Sequence, residues 1–354
     1  MVRQSRKLDH LKFAMQLDDG PATNAFEDMV VVPNCLPNLR CGDIDLATTV
    51  AGIPLQLPVL VNAITGGAAD VTDVNARLAE YCRLTGCAMA VGSQYAALED
   101  LTVRESYQVI RKINPDGHVF ANLGAHVSPD QAKRAIDMIG ACAIQIHLNV
   151  AQELIMAEGD RDFTGYLHNI EQIAAHVDVP VIVKEVGCGM AREQIAVISQ
   201  AGVQGIDIAG AGGTNFLAIE AARSGISLET DALEWGIPTA ISAIEAAAIL
   251  PDTVDLIISG GIRSPLEVVK ALCLGGKAVG IAGLIVRSLE EKGMDATIAW
   301  FEQFITNLKR YMLLVGAENI PSLQKTPVVI TGYAQQWCFA RGIDITRYAV
   351  RKHG

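Results

Sequence analysis

Aromatic side chains are scarce in this 354-residue chain, at 5% of the total, and its eight cysteines form no CxxC pair. The cysteine spacing gives no disulfide framework and no zinc site. Cys142 and Cys273 fall inside apolar periodic stretches and read as small buried hydrophobes. Positive charge is also in short supply: the net charge is −11. That excludes a general attraction to nucleic acid or to anionic membranes, so a small anionic substrate would need a local basic patch. No apolar run is long enough to span a bilayer, since even AISAIEAAAIL is broken by Glu245. The opening MVRQSRKLDHLKF lacks the apolar core of a secretory signal. The expectation is a cytoplasmic protein with no nucleic-acid or membrane partner.

What the chain does have is aliphatic residues and glycine: 50% hydrophobic composition and 32 glycines. That balance favours many tight turns between aliphatic strands, and so an α/β fold. From Pro58 onward short aliphatic runs recur at 59–64, 87–92, 119–124, 143–148, 181–186, 205–210, 255–260 and 278–283, each followed by a helix-like segment. Ser128-Pro129 and Ser264-Pro265 are helix starts, a side-chain cap followed by proline at the first helical position. Gly140 and Gly275 are placed to end those helices. Eight strand–helix units in succession predict a (β/α)8 TIM barrel. The alternative, a doubly wound open sheet, should carry GxGxxG after its first strand, where this chain has ITGGAAD. The expected division is an arm and cap at 1–50, a barrel at 51–310, and an extension at 311–354 that packs on the barrel or on a neighbouring subunit. Residues 285–311 read as helical and amphipathic.

The fourth run organises the rest. Ile144, Ile146 and Leu148 alternate with Gln145, His147 and Asn149, after which Gln152-Glu153 and EGDRD at 158–162 follow. Chemistry in a β/α barrel collects beyond the C-terminal ends of its strands. The residues placed there are Ala63, Ile64 and Thr65; Ser93, Gln94 and Tyr95; Asn122; His147, Asn149, Gln152 and Glu153; Lys184; Thr214; Gly260, Gly261, Ile262 and Arg263; Ala282 and Gly283. Gly260-Gly261 and Ala282-Gly283 allow backbone N–H groups to approach a phosphate, or else they are ordinary tight turns. A lysine inside a strand needs an anion: for Lys184 either a core ion pair with Glu185 or Asp207, or a flavin ring whose reduced form it would stabilise. Glu153 suits Mg2+, or is a plain acid of a first helical turn. Arg6, Lys7 and His10 read alone as a solvated basic start, or as a cover for an anionic substrate.

Ordered along the chain, RKLDH at 6–10, NAITGG at 62–67, GSQ at 92–94, ANLG at 121–124, QIHLNVAQE at 145–153, EGDRDF at 158–163, VKEVGCGM at 183–190, GAGGTNF at 210–216, WGIPT at 235–239 and SGGIR at 259–263 closely resemble the type 2, FMN-dependent isopentenyl-diphosphate isomerases. The resemblance covers nearly the whole chain. It implies a TIM-barrel flavoenzyme that interconverts isopentenyl and dimethylallyl diphosphate by a 1,3-allylic proton shift. Reduced FMN would act as acid and base, with Mg2+ on the diphosphate, NADPH as flavin reductant, and a homo-oligomer of four or eight subunits. It further implies that Arg6, Lys7, His10, Ser93, Gln94, Tyr95, Asn149 and Gln152 line the substrate. Ala63, Ile64, Thr65, Ser93, Asn122, Lys184, Thr214, Gly260 to Arg263, Ala282 and Gly283 would bind FMN, and Glu153 the metal. Gln152, His147 and Lys184 would carry the chemistry. Two positions depart from the family pattern: Tyr95 stands where Arg or Met is found, and Ile64 where Met is usual. A 2-hydroxy-acid oxidase would need a histidine beside SGGIRSP, and an IMP-dehydrogenase-like enzyme a cysteine in AGAGGTNF; neither is there. A catalytically silent flavin-binding barrel is the remaining alternative.

Overall fold

A computed structural model describes residues 12–64, 66–68 and 71–352 of the chain. Eight parallel strands close into a barrel: β1 (Val59–Val61), β2 (Ala88–Ala90), β3 (Val119–Gly124), β4 (Ala143–Leu148), β5 (Val181–Glu185), β6 (Gly205–Asp207), β7 (Asp255–Ser259) and β8 (Ala278–Ile281). Each expected run supplies one strand, and β8 returns to pair with β1 through Val279 and Val59. The sheet is therefore closed and the doubly wound alternative is excluded.

Side-chain alternation divides the apolar residues into two bodies. Outward-facing Ile144, Ile146, Val181 and Val183 join the large core beneath the helices. Inward-facing Leu60, Ala88, Phe120, Ala143, Ile182, Ile257 and Ala278 fill the barrel's lower half. An antiparallel hairpin, Thr48–Val50 with Ile53–Leu55, plugs the floor by adding Val50, Ala51, Ile53 and Leu55 to that inner cluster. The plug is fixed by polar bonds as well, because Ala51 N–H donates to Asp255 Oδ2 (2.7 Å) and Thr48 Oγ1 donates to Lys277 O (2.9 Å). A cavity can thus open only at the opposite end.

Both proline-started helices form as expected. Pro129–Ile139 and Pro265–Cys273 each begin with a full capping box, Ser128 with Gln131 and Ser264 with Glu267. Gly140 ends the first in the left-handed conformation; Leu274 ends the second, with Gly275 at φ +114 just beyond. The stretch expected to be helical over 285–311 is two helices, Gly283–Lys292 and Met294–Leu314. They part at Gly293, whose φ of +79 no helical residue adopts. Downstream, Val328–Ile330 pairs antiparallel with Met29–Val31. From the helix Gly332–Ala340 Trp337 Nε1 donates to Glu245 Oε1, as does Arg341 Nε just past its end, both at 2.8 Å. Among the described residues no helix is long and apolar enough to cross a membrane.

Candidate active site

A polar layer lies above the apolar fill of the barrel. Asp207, fully buried, accepts from Asn62 Nδ2 (2.6 Å) and from Ser259 Oγ (2.6 Å), and Gln145 Nε2 donates to Asn62 Oδ1 (3.1 Å). The strands β1, β4, β6 and β7 are tied together by these bonds. Gly280 on β8 leaves room for them, since a Cβ there would stand 2.7 Å from Asn62 Nδ2. Lys184 Nζ completes the layer, 3.7 Å from Asp207 Oδ2 and donating to the carbonyl of Glu185 (2.7 Å). Of the two anions considered for this lysine, Asp207 is therefore the partner. Glu185 turns its carboxylate the other way, as alternation along a strand requires.

That carboxylate holds the next turn. Glu185 Oε2 accepts the backbone N–H groups of Val186, Gly187 and Cys188 at 2.7, 2.6 and 2.5 Å. Burial pushes its pKa up to about 7, against the pull of the N–H groups and of Lys184.

Above the polar layer a cavity of about 440 Å³ opens at the C-terminal ends of the strands. Its lining includes Ala63, Ile64, Ser93, Tyr95, Asn122, His147, Asn149, Gln152, Glu153, Lys184, Thr214, Gly260, Gly261, Ile262, Arg263, Ala282 and Gly283. Nearly every residue singled out in the sequence is thus brought together. Arg6, Lys7, His10 and Thr65 lie outside the described residues. Gln94 sits apart from that lining. Its side chain is fully buried, donating to Ala135 O (2.9 Å) and accepting from Asn122 N–H (3.1 Å), so it braces the wall behind Ser93 and does not reach the cavity.

One end of the cavity is built from backbone. Gly260 and Gly261 have φ of +109 and +73, and a Cβ on Gly213 would stand 2.5 Å from Gly261 N. The loops after β6 and β7 therefore meet backbone to backbone, which only glycine permits. The first turn of the helix Gly283–Lys292 joins them at the cavity wall. Arg263 and Arg287 stand behind, held by Asp19 at 3.0 and 3.1 Å. Glycine N–H groups, a helix N-terminus and two guanidiniums form a cradle for a phosphate. With Lys184 in the adjoining wall, this end fits FMN.

The far end is acidic, with Glu153, Glu158 and Asp160 in the wall. Asn149 precedes the helix Val150–Ile155, and its Nδ2 donates to Glu153 Oε1 (2.8 Å). Glu153 Oε2 accepts the N–H of Asp160 (3.0 Å). The EGDR motif is the brace for this carboxylate. Gly159 lies against the carbonyl of Glu153, where a Cβ would clash, and Arg161 gathers the carbonyls of Glu153, Met156, Gly159 and Asp160. Among the described residues no three His, Cys, Asp or Glu side chains group to hold a metal. A cation at Glu153 would have to take its other ligands from substrate and water, as Mg2+ commonly does.

Between the two ends stand His147 and Gln152. Asn122 Nδ2 donates to Val91 O (3.0 Å), which turns Oδ1 toward His147 Nδ1 at 2.8 Å. An amide oxygen only accepts, so the proton of that contact sits on Nδ1. Gln152 Nε2 donates to Glu220 Oε1 (2.7 Å), and Glu220 is fully buried. Glu220 was not foreseen. It lies on the helix Phe216–Ser224, 68 residues along the chain, and in sequence it looks like an ordinary helical acid. His126, edge-to-face on Tyr95 at 4.8 Å, is another lining residue with no local signal.

The family model for FMN-dependent dehydrogenases matches residues 149–330. The chain is 44% identical over 359 aligned positions to an isopentenyl-diphosphate delta-isomerase of Symbiobacterium thermophilum, covering 99% of both chains. To the enzyme of the same name from Geobacillus sp. strain WCH70 it is 45% identical, over 99% of this chain and all of that one. Among solved structures, mandelate oxidase with (S)-2-phenylpropionate superposes with a TM-score of 0.65 at 19% identity, covering 92% of this chain and 97% of the other. At that identity the likeness is one of fold. The end of β7 in this chain carries no histidine, in keeping with a different chemistry on the shared barrel.

Proposed function

This chain belongs to the FMN-dependent isopentenyl-diphosphate delta-isomerases, and from that premise we propose how its cavity moves the double bond. The observation that carries the reading is the pairing of a glycine cradle for a phosphate at one end of the cavity with a braced carboxylate, Glu153, at the other.

Conversion of isopentenyl to dimethylallyl diphosphate adds a proton at one allylic end and removes one from the other. Reduced FMN, when bound, supplies an acid and base strong enough for an unactivated alkene without net oxidation, NADPH being its initial reductant. Gly260 to Arg263, Thr214, Ala282 and Gly283 hold the cofactor's phosphate, and Ala63, Ile64, Thr65, Ser93 and Asn122 bound the rest of it. Lys184 sets a positive charge beside its ring.

Glu153 would hold Mg2+, which would supply positive charge against the substrate's diphosphate. Asn149, Ser93 and Tyr95 flank the substrate, and Arg6, Lys7 and His10 close over the diphosphate. Holding the diphosphate fixes the alkene, so remote binding energy is used for orientation. Gln152, its Nε2 engaged by Glu220, presents its carbonyl oxygen to the alkene. His147, protonated at Nδ1, offers Nε2 for proton relay. Residues 1–50 then act as the covering arm and 311–354 as a packing extension, in a cytoplasmic homo-oligomer of four or eight subunits.

The test is an anaerobic assay. The protein is loaded with FMN and Mg2+, reduced with dithionite or NADPH, and given isopentenyl diphosphate. Dimethylallyl diphosphate is expected only with reduced flavin. A flavin-loaded protein that makes none in either redox state overturns the proposal.

A further inference from the structure

Gln152, Glu220, Arg223 and Glu158 form one unbroken polar chain. Glu220 Oε1 accepts from Gln152 Nε2 at 2.7 Å, Glu220 Oε2 accepts from Arg223 Nε at 2.7 Å, and Arg223 Nη2 stands 2.7 Å from Glu158 Oε1. The chain runs from the middle of the cavity, behind its wall, to the acidic end. It links three separate pieces of backbone: the helix Val150–Ile155, the helix Phe216–Ser224 and the loop that carries EGDR.

The charges in this chain have a consequence for the amide. A carboxylate with no exposure keeps its charge only when it is paired, and Arg223 is a cation in direct contact with Glu220. An ionised carboxylate accepts and cannot donate. It therefore binds the NH2 of Gln152 and keeps the amide oxygen turned away from itself. A protonated Glu220 could instead donate to that oxygen, leaving the long 3.5 Å bond from Asn149 Nδ2 to oppose a turn of the amide. The other arm of the same guanidinium draws in Glu158, two residues before the Asp160 N–H that holds Glu153 Oε2.

We infer that Arg223 is a positioning residue for both halves of the site: through Glu220 it fixes which face Gln152 shows the substrate, and through Glu158 it steadies the loop that braces Glu153. The inference rests on the isomerase reading for its catalytic half. Arg223 is not among the residues lining the cavity, so flavin retention should not depend on it.

The experiment compares Arg223→Met and Arg223→Lys with the parent holoenzyme, measuring kcat, half-saturating Mg2+, bound FMN by absorbance, and hydrogen exchange of the 156–161 amides. For Arg223→Met, kcat should fall about 10-fold or more and half-saturating Mg2+ should rise several-fold. The Asp160 amide should exchange faster, with FMN content unchanged. Arg223→Met removes a cation from beside buried Glu220 and is expected to lower folding yield; Arg223→Lys keeps the charge but cannot span both carboxylates, and should show the same changes in milder form in a well-folded protein. Unchanged kcat together with unchanged loop exchange in Arg223→Lys and any folded Arg223→Met overturns the inference. So does a loss explained wholly by lost flavin. Should the parent protein make no dimethylallyl diphosphate, the isomerase reading fails on its own, and the exchange of the 156–161 amides still decides whether Arg223 steadies that loop.

Discussion

His147 Nδ1 lies 2.8 Å from Asn122 Oδ1, and Val91 O fixes the amide that makes this contact by accepting its NH2. The histidine is held here by a neutral acceptor, which orients the ring. Asn122→Asp would place a carboxylate there and stabilise the imidazolium. The protonation midpoint of His147, followed by NMR of labelled imidazole, is expected to move to higher pH. An unmoved midpoint would mean that the contact is not kept in solution.

Gln152 meets the cavity, while its amide nitrogen is engaged behind the wall by Glu220. Gln152→Ala removes the group that faces the alkene and leaves the glycine cradle alone. Turnover should drop by about 100-fold with bound flavin unchanged. Normal turnover in a flavin-loaded variant would remove Gln152 from the mechanism.

Removing metal separates the two ends of the cavity. Treatment with EDTA should abolish isomerisation and leave FMN bound, because the glycine cradle and Glu153 lie at opposite ends. Glu153→Gln should need much more Mg2+ for half-maximal rate. Flavin loss on chelation, seen by ultrafiltration, would contradict this separation.

Gly213 lies so close to Gly261 that its substitution disturbs the cradle directly, a Cβ coming 2.5 Å from Gly261 N. Gly213→Ala forces the two loops apart, an overpacking cost of about 2 kcal/mol. If that cost falls on the cofactor site, FMN should bind about 30-fold more weakly. Fluorescence quenching on titration with FMN gives the number, and an unchanged Kd would show that the loops yield without cost.

Glu185 makes stability depend on pH. Its pKa rises from 4.5 to about 7 on folding, chiefly by burial. Between those values the folded state holds a proton that the unfolded state has released, so the group's contribution is most favourable below pH 4.5 and is lost as pH climbs through 7. The full loss is about 3 kcal/mol. Glu185→Gln should therefore gain little at pH 5 and most at pH 8 in thermal denaturation. Equal effects at both pH values would count against a raised pKa.

The barrel was legible because the strands are short aliphatic runs, most of them followed by glycine or a polar group, and the repeat is strong enough to count. The cavity lining was legible for the same reason, since a known strand end fixes which residues lie above it. Gln94 is buried where its neighbour Ser93 faces the cavity. It follows Ser93 directly, but it caps the helix Tyr95–Glu99 with φ −84 and ψ 0, and its two amide atoms are taken by Ala135 O and Asn122 N–H. Glu220 and Arg223 could not be read because a glutamate and arginine three apart on a helix usually mark a solvated face. What makes them different is a partner on another helix, which only the closed barrel brings near. Gly293 had a signal, a glycine within charged helical sequence, but its effect depends on the chain needing to reverse there.

The antiparallel pair Met29–Val31 with Val328–Ile330 has a consequence in time. Asp19, which holds Arg263 and Arg287 at the phosphate cradle, is only ten residues ahead of that early strand, and the strand's partner is synthesised some three hundred residues later. While the chain is still emerging from the ribosome, the barrel staves can assemble in order but the early strand has nothing to pair with. The segment that carries Asp19 does not wait for that partner, because Gly20 N–H already bonds to Gly213 O and Asn24 Nδ2 to Gly261 O on the barrel itself.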